Sequence, residues 1–159
     1  MINAIDNWII DRIFQKISDL LSRMRINQYT VAKFLLDGSF VSGCAASYFD
    51  IISSHGIGRL VLNYIGLLAN PLLLIILRPE ICRDEQAYDN GKYFLSASRP
   101  QYVILRTVCL VSSIAYFRFS IDTFSDILLD TCLYLWACRP MPPSQKTERK
   151  LDFAYNGGF

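Results

Sequence analysis

The chain has 159 residues, 52% of them apolar, and 16 basic against 14 acidic side chains leave a net charge of +2. That is one domain's worth of polypeptide, and its near balance of charge excludes a nucleic-acid binder, which carries a basic excess on one face. Five widely spaced cysteines without a C-x-x-C pair exclude a disulfide framework or cysteine metal site, and all five read as reduced, structural residues.

Residues 2–25 place Ile2, Ile5, Ile9, Ile10, Ile13, Phe14, Ile17, Leu20, Leu21 and Met24 at helical spacing. Asp11, Arg12, Gln15, Lys16, Asp19, Ser22 and Arg23 fall opposite, which predicts an amphipathic helix about 36 Å long. Residues 1–28 are therefore read as an interfacial or partner-binding segment. Trp8 and Phe14 suit a headgroup zone, whereas the mixed charge of the polar face favours packing on a partner or on a second copy. No cleavable secretory signal is expected, because an uninterrupted apolar core and a small-residue cleavage site are both missing. Asp6, Asp11 and Asp19 argue against a mitochondrial transit peptide.

Residues 29–138 are read as a membrane domain of four spans. The first, 30–52, is interrupted by Lys33, Asp37 and Asp50 and dense in small residues. Gly38, Ser39, Ser42, Gly43 and Ala46 form its helix-packing set, since small residues four apart let backbones approach where water supplies no driving force. A turn over residues 53–58 leads to the second span, 59–78, in which Leu60 to Leu77 carry no charge over eighteen residues. Pro71 predicts a kink near Leu67. Residues 79–101 read as a polar connector broken by Pro79, Asp89-Asn90-Gly91 and Arg99-Pro100. The third span, 102–118, is short, and the fourth, 121–138, follows so closely that the two must form an antiparallel hairpin. Pro140, Pro142 and Pro143 stop the last helix, and residues 139–159 form a polar tail suited to docking.

The fold class expected is thus all-α and integral to a membrane: an amphipathic helix, then hairpins at 30–78 and 102–138. Charge supplies the topology. Twelve of the 16 basic residues lie before the first span, between the second and third, or after the fourth. Only Arg59 and Arg118 lie on the other side, and Lys33 and Arg106 sit inside spans. This skew places both termini in the cytoplasm or matrix, as in a bacterial or organellar inner membrane. Tyr29, Tyr102 and Trp136 fall at the same edge, where amphipathic aromatics collect.

Motifs for chemistry are sparse. His55 is the only histidine and reads as a solvent-facing turn residue, and Gly56-Ile57-Gly58 lacks the strand and third glycine of a dinucleotide fingerprint. No serine sits in a nucleophile elbow, so no catalytic residue, metal site or cofactor is expected. The intramembrane charges are the informative set: Lys33, Asp37, Asp50, Arg106, Asp122, Asp126 and Asp130. Lys33 and Asp37 are four apart and can pair. Asp122, Asp126 and Asp130 line one helix face, and hairpin geometry puts Asp130 opposite Cys109 and within reach of Arg106. Asp50 falls near Asn63 and Arg59, Asp122 near Arg118, and Asp126 has no basic residue at its level. Salt bridges that fix helix register are the expected use of these charges.

These features lead to the expectation of a non-enzymatic accessory or structural subunit of a larger membrane assembly. Its partners would be other membrane proteins and lipid, with no nucleic acid, and homo-oligomers are compatible with the packing set. The alternative is a small oligomeric ion or proton pathway, or a holin-like pore, lined by the aspartates of the last span.

Overall fold

The computed structural model describes residues 2–53, 57–90, 96–115 and 120–139 and is all-helical, with no strand among the described residues. Helix α1 (Ile2–Ile9) runs through a π turn (Ile10–Phe14) into α2 (Gln15–Arg23). Then follow α3 (Gln28–Ser53), α4 (Ile57–Asp89), a 3-10 turn (Ser96–Ser98), α5 (Pro100–Ala115) and α6 (Ile121–Ala137). His55, Arg118 and the tail beyond Arg139 lie outside the described residues, as does the side chain of Arg59.

Local chemistry sets most boundaries. Arg25 adopts φ 62° and ends α2 with hydrogen bonds from Ile26 N to Leu21 O and from Arg25 N to Ser22 O. This is the left-handed helix stop in which glycine is the usual residue. Pro100 opens α5, where a missing amide costs nothing. Ser120 caps α6 by accepting from Thr123 N, and Asp122 in the first turn complements the helix dipole.

The helices run antiparallel in the order α4, α3, α6, α5, with α3 and α6 inside the row. Small residues allow that placement. Ser125 Oγ donates to Ser39 O at 2.8 Å across α3 and α6, and Gly38 faces Leu128. On its other side α3 meets α4, where a Cβ on Gly43 would stand 2.8 Å from the amide of Asn70. Gly66 lies against Ser47 in the same seam, and Ala46 is buried nearby. Ser42 bonds back to the Gly38 carbonyl of its own helix.

The apolar core is concentrated at one end, around Tyr29, Leu36, Leu77, Ile81, Tyr102, Leu133 and Trp136. Tyr29, Tyr102 and Trp136 are therefore core residues rather than aromatics exposed at an interface. The Tyr102 and Trp136 rings meet edge to face at 4.9 Å, and Tyr88 covers Tyr29. A second correction concerns Pro79, which does not end the helix. Helix α4 continues ten residues beyond it because Ile81 and Asp84 are fully buried and Tyr88 packs on the core. Burial of Ile81, packing of Tyr88 and the hydrogen bonds to Asp84 offset the lost hydrogen bond and the local clash of an interior proline, about 3 kcal/mol.

Among the described residues one helix, Asn63–Asp89, is long and apolar enough to cross a membrane. The expectation of four spans of that kind is not met. Acidic residues interrupt α3 and α6, and the 16 residues of α5 cover only about 24 Å. Large apolar side chains nevertheless point outward along all four helices, including Val41, Leu68, Val111 and Ile127.

The Gly43–Asn70 contact yields a direct test. Gly43→Leu should destabilise the helix row by about 1–3 kcal/mol through overpacking. Leu68→Ala, on an outward face, should change stability by about 0.5 kcal/mol or less. Thermal unfolding in detergent reports both, and equal effects would show that the α3–α4 seam is not close-packed.

Candidate functional site

The densest chemistry lies at the end that also holds the core. Arg106, on α5, is buried with its partner Asp6, both side chains being 2% exposed. Arg106 Nε donates to Asp6 Oδ1 at 3.0 Å and Nη2 to Asp6 Oδ2 at 2.6 Å, a two-pronged ion pair. Nη1 donates to the Ala97 carbonyl at 2.7 Å, and the guanidinium lies 5.9 Å from the centre of the Tyr134 ring. One side chain thus joins the N-terminal helix, the 3-10 turn, α5 and α6.

Asp84 is the second hub. Its fully buried carboxylate accepts from Ser96 N, from Ser96 Oγ at 2.7 Å and from Trp136 Nε1 at 2.9 Å. These three bonds fasten α4 to the 3-10 turn and to α6. Gln28 accepts from Ser18 and donates to the Cys138 carbonyl at 2.9 Å, joining α2, α3 and the end of α6. Gln15 and the Arg139 backbone exchange two bonds of 3.0 Å.

Two expected pairings are replaced. Lys33 does not pair with Asp37. It donates to Glu85 at 2.6 Å, and Glu85 also accepts from Asn27. Asp37 instead faces Arg78 at 3.1 Å, an ion pair by distance without hydrogen-bond alignment. The reason is the extension of α4 past Pro79, which brings Glu85 alongside the start of α3. Nor does Arg106 pair with Asp130. Asp130 accepts from Ser113 Oγ at 2.7 Å, one turn nearer the hairpin turn than Cys109. Asp6 takes Arg106 because α1 lies against α5.

The aspartate face of α6 divides by depth. Asp130 is buried, and its Oδ1 accepts no hydrogen bond among the described residues. Asp126 and Asp122, nearer the start of α6, are both exposed. All five cysteines are free thiols, and no group of three metal-ligating side chains is gathered among the described residues.

Sequence reasoning missed Asp6, Asp84 and Gln28. Asp84 had a signal, since Leu77, Ile81, Asp84 and Tyr88 continue one helical face past Pro79. Asp6 had a weaker one, as the acid four residues before Ile10 in an apolar series.

A double-mutant cycle separates the two partners proposed for Arg106. Asp6→Asn and Arg106→Gln should each cost about 3–5 kcal/mol, and the double variant should recover much of that loss. Arg106→Gln with Asp130→Asn should be additive to within about 0.5 kcal/mol. Denaturation in detergent measures all of these, and strong coupling to Asp130 would contradict the observed pairing. No known protein family, curated protein or solved structure matches the chain.

Proposed function

We propose that the chain is a non-enzymatic, multi-pass membrane protein that serves as an accessory or structural subunit of a larger membrane assembly. The observation that carries this reading is the outward apolar surface of α3 to α6. Leu68 is 71% exposed and Ile114 70%, with Phe34, Val41 and Ile75 similarly open. Apolar patches of this extent mark contact with lipid or with other proteins. The buried polar groups support the structural half of the reading, because those of the two hubs bind one helix to another.

The reading has four crossings with the basic end on the cytoplasmic or matrix side, and the distribution of charge and the antiparallel order of the helices support it. In this arrangement α5 and α6 are short for a hydrocarbon core of about 30 Å, and local bilayer thinning or tilt of the neighbours accommodates them.

A second reading is a proton or ion pathway along α6. Buried Asp130 favours it, with Oδ2 accepting from Ser113 and Oδ1 accepting no hydrogen bond among the described residues, since intramembrane carboxylates recur in proton relays.

Isolation of the native protein in mild detergent tests the leading reading. Other membrane proteins should co-purify in fixed proportion and survive a high-salt wash. A lone monomer would contradict the subunit role. Flux across liposomes holding only this protein, lost in Asp130→Asn with the fold kept, would establish the pathway instead.

A further inference from the structure

Asp6, Asp84 and Asp130 are the buried aspartates among the described residues, and they are not provided for alike. Asp6 meets the fork of Arg106, and Asp84 accepts from Ser96 N, Ser96 Oγ and Trp136 Nε1. Asp130 has a single contact of this kind, 2.7 Å between Oδ2 and Ser113 Oγ, while Oδ1 is closed to solvent and has no hydrogen bond among the described residues. Asp37 Oδ1 and Glu80 Oε2 also lack hydrogen bonds, but each stands beside an arginine, at 3.1 and 3.0 Å respectively. Asp130 enters no ion pair among the described residues.

The surroundings offer it no positive charge. Ser113 shares its face of α5 with Cys109 and Arg106, and Asp130 shares its face of α6 with Asp126 and Tyr134. From the N-terminal helix, α1 packs on α5 and brings Asp6. On the other side of α6, the α3 charges Lys33 and Asp37 are paired to α4. Arg106 is the one cation turned to the seam, and its three guanidinium nitrogens are taken by Asp6 and the Ala97 carbonyl. An ionised Asp130 would thus hold a desolvated negative charge on one hydroxyl, with Asp126 adding a like charge one turn away.

We infer that Asp130 is carried as the neutral acid, with its proton on Oδ2 donated to Ser113 Oγ, and that the α5–α6 seam is therefore a proton-binding site inside the protein. The 2.7 Å separation serves either direction, since a hydroxyl accepts as readily as it donates. The serine's own hydrogen then has the carbonyl four residues back in its helix as an acceptor. Oδ1 becomes a neutral carbonyl oxygen, and leaving that without a bond costs far less than stranding half of an ionised carboxylate. The inference rests on burial in the seam and is compatible with the subunit and pathway readings alike, because a site that keeps a proton need not pass it on.

Infrared spectra of the full-length protein in dodecyl maltoside, a detergent without carbonyl groups, test it at about pH 6, where exposed carboxyls are ionised. The parent protein should show the carbonyl-stretch band of a protonated carboxylic acid, and Asp130→Asn should lose it. A parent spectrum without the band overturns the inference with no variant needed, and so does a band that Asp130→Asn retains. Should Asp130→Asn fail to fold, Asp130→Glu keeps a carboxyl and should move the band to a new frequency; an unmoved band overturns the inference equally. The spectra report protonation alone, so failure here leaves both readings of the function standing.

Discussion

The Arg106 guanidinium is the constraint on which the arrangement of the helices turns. Burying a charge costs several kcal/mol, and only a well-placed counter-charge with further hydrogen bonds repays it. Asp6 supplies the charge through two of the guanidinium nitrogens, and the Ala97 carbonyl accepts from the third. The N-terminal helix must therefore lie against α5, and the 3-10 turn must close over the same point. Leaving Arg106 without Asp6 would strand a cation in a site that water does not reach.

Asp84 is held by hydrogen bonds from Ser96 and Trp136, and together the two hubs gather α1, α4, α5, α6 and the 3-10 turn at one end. The rest of the row is held differently. Toward the far end the contacts are close backbone approaches at Gly38, Gly43 and Gly66, with serine hydroxyls bonded across α3 and α6. Such packing suits an environment where lipid chains remove the hydrophobic drive between helices and leave dispersion and short polar contacts to do the holding. The outward faces of α4 and α5 bury little against the protein, and in water they would be a large unfavourable surface. A polar-locked end and an end held by close approaches with apolar outward faces suit the two media of the proposed membrane boundary.

Much of the helical framework was legible in the sequence. The residues around Gly38 and Gly43 placed α3 as a closely packed helix, and the brief connections set the antiparallel order. Partner choice was less legible, for physical reasons. Lys33 has a local candidate in Asp37, but a tertiary contact with Glu85 prevails because α4 continues past a proline that local rules treat as a stop. Asp130 and Arg106 are near in any hairpin estimate, yet one turn of offset gives Asp130 to Ser113 and leaves Arg106 to a residue 100 positions away. The amphipathic helix was visible as a helix, whereas its division into a protein face and an open apolar face depends on the π turn, which periodicity assumes away. Tyr29, Tyr102 and Trp136 were legible as aromatics of one end but not as core, since the Asp84 bond that satisfies the Trp136 indole is itself long-range.

The central claim is that the outward apolar faces meet hydrocarbon on both edges of the helix row. Nitroxide side chains at Leu68 on α4 and at Val111 on α5, in protein reconstituted into bilayers, test this most directly. The account predicts that dissolved oxygen, which concentrates in hydrocarbon, relaxes both labels far more than a water-soluble nickel chelate does. Stronger relaxation by the chelate at either position would place that face in water and contradict the account.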